Sequence, residues 1–95
     1  LYEVTYFQSV NSTTTNVNIG IHYSGDTGSS YDLLSKAWCR GSVDSMVTTA
    51  FVNITNVSTQ KVKFVATSAS GNDFKGITTA SYNNFRFIRL GDSQW

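Results

Sequence analysis

From Leu1 to Val10, the residues Tyr2, Val4, Tyr6 and Val10 alternate with Glu3, Thr5 and Ser9, the period-two pattern of a strand with one buried face. A polar connector, 11–15, separates this run from a second one, in which Val17, Ile19, Ile21 and Tyr23 interleave with Asn16, Asn18, Gly20 and His22. Two alternating runs joined by a short polar segment predict an antiparallel hairpin. Ser24–Ser30, with two glycines and an aspartate among serines, predicts a loop. The stretch Tyr31–Cys39 admits two readings. Leu33, Leu34, Ala37 and Trp38 would share one side of a helix capped by Ser30, whereas as extended chain they form an irregular segment running into a short strand at Lys36–Arg40. Strands on either side favour the extended reading.

Met46–Ile54 is a β-branched run with apolar residues on both faces: Met46, Ala50, Val52 and Ile54 on one, Val47 and Phe51 on the other. This predicts a strand buried on both sides. After a polar turn at 55–60, Val62, Phe64 and Ala66 share a face of Lys61–Ser68. Ser70–Asp73 turns again, Phe74–Ala80 is weakly patterned, and Asn84–Leu90 is a closing strand stopped by Gly91 and Asp92. About six or seven strands with turn signals every ~8–12 residues predict an all-β, antiparallel β-sandwich or barrel, and residues 1–95 read as one domain.

The second faces of these strands are not clean. With Tyr2, Val4, Tyr6, Val62, Phe64, Ala66, Phe85 and Phe87 turned inward, Leu1, Phe7, Val65, Ile88 and Leu90 are left outside. Scattered exposed apolar residues are ordinary. These, however, belong to the first strand, the last strand and the strand after the long connection, which Greek-key order tends to bring into one sheet. They are therefore the candidate subunit interface.

Composition points the same way. A chain of 95 residues buries only a little over ~60% of the surface that its unfolded form exposes, so a supplement to the core is expected. The single cysteine, Cys39, makes no intrachain disulfide, and one histidine falls short of the ligands a structural zinc needs. Oligomerisation is left. A net charge of +1 is too balanced for a phosphate-tracking surface, so nucleic acid is not an expected partner. No apolar run is long enough for a membrane-spanning helix, and no signal-peptide pattern is present.

Candidate chemistry is sparse, and no catalytic residue, metal site or cofactor is expected. His22, which any nucleophilic triad would need, alternates to the face opposite the valine and isoleucines. Cys39 reads as a buried structural thiol rather than a nucleophile, although Arg40 beside it would lower its pKa if it were exposed. The carboxylates Glu3, Asp26, Asp32, Asp44, Asp73 and Asp92 form neither a close pair nor a calcium loop. Asn11, Asn53 and Asn56 open glycosylation sequons, which a chain rich in Asn, Ser and Thr is expected to contain by chance. Trp38, Tyr82 and Trp95 would offer stacking surfaces for sugars if exposed, though large aromatics more often serve packing.

Taken in order, LYEVTYFQSV, VNIGIHY, TTAFVNITNVSTQKVKFVATSAS and a closing NNFRFIRLGD resemble the TNF/C1q-like jelly-roll domains of bacteriophage fibre and head-decoration proteins. The most specific part of the resemblance is the closing strand, running into Arg89-Leu90-Gly91-Asp92. It implies a non-catalytic domain that assembles as a compact homotrimer, with the sheet holding the first and last strands turned toward the threefold axis. A complete jelly roll has about eight strands, so the chain is expected to be its C-terminal part, with the first one or two strands upstream of Leu1 or dispensed with. The implied function is a virion structural protein, a capsid-decoration or fibre knob on the virion exterior. It would contact other virion proteins, or a host cell-surface receptor or glycan, through loops such as Ser24–Ser30 and Ser70–Ile77. The alternatives are a carbohydrate-binding, lectin-like β-sandwich module and a secreted C1q-like signalling domain, both extracellular.

Overall fold

A computed structural model of the chain describes residues 1–9, 13–41, 45–68 and 83–91. They form six strands: β1 (Tyr2–Ser9), β2 (Thr13–Ser24), β3 (Asp32–Gly41), β4 (Ser45–Val52), β5 (Lys61–Ser68) and β6 (Asn83–Arg89). Two antiparallel three-stranded sheets, ordered β4-β1-β6 and β3-β2-β5, pack face to face as a β-sandwich.

Alternation decides what lies between the sheets. Val4 and Tyr6 of β1, Val17, Ile19 and Ile21 of β2, and Met46, Ala50 and Val52 of β4 form the buried cluster. Polar side chains in the same layer are satisfied locally. Tyr6 donates its hydroxyl to Gln8 Oε1 at 2.9 Å, Gln8 Nε2 donates to the Ser9 carbonyl at 3.1 Å, and burial pushes the Tyr6 phenol above its ordinary pKa. The edge strands close the two long sides. On one side the Ser35 and Thr48 hydroxyls hydrogen-bond from β3 to β4. On the other side Phe64 of β5 stacks on Phe85 of β6 at 4.4 Å, and Tyr6 and Phe87 pack edge-on to it at 5.5 and 5.8 Å. Phe85 and Phe87 sit opposite Tyr6 and Val4, on the core side, yet each is 52% exposed because β6 is an edge.

Three expectations change and a fourth is sharpened. The runs 1–10 and 16–23 are not a hairpin: β1 pairs with β4 and β6, while β2 pairs with β3 and β5. Alternation gives each strand one apolar face, and these two strands lie in opposite layers of the sandwich rather than side by side. Second, β4 is buried on one side only, its residues alternating strictly between exposed and buried. Third, the strand after the long connection, β5, is not in the sheet of β1 and β6. Fourth, the extended reading of 31–39 holds over a full strand, and its irregularity is a β-bulge. The register with β2 slips between Ile21–Ser35 and His22–Leu33, so Leu34 is the additional residue. The adjacent leucines that resembled a helical stripe are thus the two sides of that bulge. Cys39 lies in β3 opposite Val17, but its side chain, like the segment 70–77, falls outside the described residues.

Candidate functional site

Each sheet has an outer face, and the two differ in chemistry. Outside β4-β1-β6, pairing across the strands sets out successive rows: Val47, Phe7 and Asn84; Thr49, Thr5 and Arg86; Phe51, Glu3 and Ile88. The ladder continues one step further, with the Leu90 N–H donating to the Leu1 carbonyl at 2.8 Å, which places both leucines in a fourth row on the same face. Phe51 is 61% exposed and Val47 58%, and Ile88 and Leu90 are also open to solvent. Thr5, Phe7, Val47, Asn84 and Arg86 line a shallow hollow of about 250 Å³ on this face.

Of the five residues expected at an interface, Leu1, Phe7, Ile88 and Leu90 come together here. Val65 does not: it pairs with Gly20 and looks out from the opposite sheet. Val47 and Phe51 join the patch instead. Their signal was the second apolar face of the 46–54 run, read as burial on both sides. Burying a side chain of this size is worth ~1.5–3 kcal/mol, so covering several of them together is a substantial driving force.

The loops at one end of the sandwich are rigid by construction. Asp26 accepts from the Ser24 hydroxyl at 2.7 Å, from the Ser30 N–H at 2.9 Å and from the Ser30 hydroxyl at 2.7 Å. Ser24 Oγ in turn accepts from the Gly28 N–H at 2.9 Å. The bonds from Ser30 and Ser24 hold the Asp26 carboxyl down at about 2. Thr27 and Gly28 both take left-handed backbone angles, φ 65° and 89°, and the Thr27 N–H donates to the Thr59 carbonyl at 2.9 Å. This joins the loop to 53–60, where Gln60 Oε1 accepts from the Thr55 and Asn56 N–H groups at 2.6 Å and Gln60 Nε2 donates to Tyr23 at 2.8 Å.

Two predictions arise here. Ser24→Ala removes the buried hydroxyl that accepts from the half-buried Gly28 N–H and donates to Asp26, and is expected to cost ~1–2 kcal/mol, read as a lower urea midpoint. Asp26 has a folded pKa below its ordinary 3.8, so the stability it contributes is complete above that value and is lost as pH falls toward about 2. In Asp26→Asn the melting temperature is expected to lose this part of its acid dependence, measured between pH 2 and 5. A slope equal to that of the wild type would show that the carboxylate does not hold the loop.

The remaining candidates do not assemble a reactive site. His22 stands on the outer face of β2, between Lys36 and Lys63, and burial followed by these two charges pushes its pKa below the ordinary value. Among the described residues no three His, Cys, Asp or Glu side chains group to hold a metal. Asn56 is exposed, with Oδ1 accepting from the Ser58 N–H at 3.0 Å, and Asn53 is half-buried; Asn11 lies outside the described residues. Trp38 is exposed on β3, whereas Tyr82 and Trp95 lie outside the described residues.

Fold and surface together define an all-β sandwich with two mixed outer faces, one gathering Val47, Phe51, Phe7 and Ile88 and the other carrying Lys36, Lys63 and His22. In comparisons with known proteins the chain matches no family model, no curated protein and no solved structure.

Proposed function

We propose that the chain is a non-enzymatic virion structural protein, a homotrimeric knob whose copies pack through the outer face of β4-β1-β6. In this reading the strands belong to a jelly roll, and the knob is displayed on the virion exterior as a capsid decoration or fibre tip. The fixed loops 24–30 and 53–60 meet other virion proteins or a host surface ligand.

The observation that carries the reading is the side-by-side placement of β1 and β6 with Phe7, Val47, Phe51 and Ile88 on their common outer face. The resemblance to TNF/C1q-like domains turns that sheet toward a threefold axis. The only charges in the three paired rows, Glu3 and Arg86, are of opposite sign and diagonal to one another.

Light scattering coupled to size-exclusion chromatography over a dilution series tests this directly. A stable mass near three times 10.5 kDa is expected. A well-folded monomer at all concentrations would overturn the knob and leave a monomeric sugar-binding module as the better reading.

A further inference from the structure

The outer face of β3-β2-β5 is built for a different contact. Lys36 places its Nζ 4.4 Å from the centre of the Trp38 ring, and Lys63 places its Nζ 4.1 Å from the centre of the Tyr31 ring. Counting steps along β3 and allowing for the bulge, the two aromatics are roughly 20 Å apart along the strand direction. Between them the His22 and Leu33 side chains close over the buried Gly20: a methyl group there would come within 3.2 Å of His22 Nε2 and of Leu33 Cδ1. The face carries Lys36, Lys61, Lys63 and His22, and among its described residues no carboxylate. Asp32 pairs with Tyr23 and alternates to the other side, and Asp26 is engaged by Ser24 and Ser30.

We propose that this face binds an acidic glycan, a chain of carboxylated or sulfated sugars, with anionic groups paired to Lys36 and Lys63 and a sugar ring laid against Trp38. Three features carry it. Trp38 is 63% exposed, and beyond the contact with Lys36 its ring offers open apolar surface. Two exposed lysines stand on the strands flanking β2, about 12 Å apart between Cα positions by strand spacing, and so meet charges spaced along a chain rather than one compact ion. Among its described residues the face holds no carboxylate that would repel a polyanion. Single-stranded nucleic acid fits less well, because two rings this far apart do not stack successive bases. His22 adds a sensor. The groups facing it are Leu33 and Lys36 on β3 and Lys63 on β5, and the two lysines disfavour its protonation. A bound polyanion offsets them, so its pKa rises on binding and the affinity increases as pH falls through its titration.

The face lies on the opposite sheet from the proposed subunit contact, and the inference does not depend on it. The test is calorimetric titration of the whole chain with oligogalacturonate and with a heparin-derived hexasaccharide, using maltohexaose and oligothymidylate as comparisons. One or both acidic oligosaccharides are expected to bind, maltohexaose not to, and oligothymidylate more weakly. Losing a charge-assisted contact at each lysine, the double variant Lys36→Gln/Lys63→Gln is expected to weaken binding at least about tenfold, and Trp38→Ala to do likewise. Solution mass should match the wild type in both, and the melting temperature should fall by no more than a few degrees, the loss expected from the exposed Lys36–Trp38 and Lys63–Tyr31 contacts. The His22 ring resonances should report a higher pKa in the complex. The proposal is overturned by silence from both acidic probes, by binding that survives in the double variant, by equal binding of maltohexaose, or by tighter binding of oligothymidylate. The solution mass of the same samples keeps this result separate from the fate of the trimer.

Discussion

Phe7→Asp and Ile88→Asp are each expected to convert a species of three times 10.5 kDa into a poorly folded monomer, whereas Val65→Asp leaves mass and melting unchanged. The three substitutions are chemically alike, and what separates them is the face. Phe7 stands between Val47 and Asn84, and Ile88 is beside Glu3, all outside β4-β1-β6. Val65 stands beside Gly20, outside the other sheet. A carboxylate within a dry contact between copies must stay hydrated, which prevents closure, or be protonated, and either choice costs several kcal/mol per copy. Next to Glu3, the aspartate at 88 adds like-charge repulsion. Light scattering and thermal melting of the three variants read the result. Mass and melting like those of the wild type for both Phe7→Asp and Ile88→Asp would remove this face as the interface, and dissociation by Val65→Asp would move it to the opposite sheet.

The contrast among these residues also shows where a sequence stops being informative. Period-two alternation reported the inward side of β1, β2, β5 and β6 correctly: Val4 and Tyr6, Val17 to Ile21, Val62 and Phe64, and Phe85 and Phe87 all turn toward the space between the sheets, whereas in β4 it did not choose between the faces and in β3 the bulge breaks it. It reports a side, not a neighbour. Tyr2–Ser9 and Thr13–Ser24 look like partners of one hairpin in sequence, yet their apolar faces meet across the sandwich. Val65 likewise looked like kin to Phe7 and Ile88 because all three stand opposite a core residue, and only the pairing of β5 with β2 places it elsewhere. Partner choice depends on contacts distant in sequence, and these leave no periodic trace.

Two local features were harder still. Leu33 and Leu34 break alternation, and a helix stripe and a β-bulge both break it in this way; the register slip beside Ile21 distinguishes them. The loop network of Ser24, Asp26 and Ser30 uses the residues that composition assigns to any loop. Spacing alone did not mark Asp26 as the acceptor of three hydrogen bonds. The basic face had a similar concealment. Lys36 and Lys63 are far apart in sequence within a chain whose net charge is only +1, and they become a feature when β3 and β5 flank the same central strand.

Ile19→Ala is expected to have the largest effect on stability of any single truncation in the core. Ile19 is fully buried at the middle of the central strand β2, and its neighbours on either side of the sheet are both small, Ala37 of β3 and Ala66 of β5. Neither can grow into the space that a truncated side chain leaves, so the lost transfer energy is joined by a cavity that collapses little. A loss of ~3–4 kcal/mol is expected, against ~5–14 kcal/mol for a domain of this length, and Ile19→Val should lose only ~1 kcal/mol. The urea midpoint measures both, at fixed chain concentration. Concentration matters because copies that associate only when folded stabilise one another by mass action. In the trimer the Ile19→Ala midpoint should therefore climb as the chain is concentrated, partly restoring what the cavity removed. A midpoint that stays low and flat over a hundredfold range of concentration would mean that the small core stands alone, and that the apolar face outside β4-β1-β6 adds nothing to its stability.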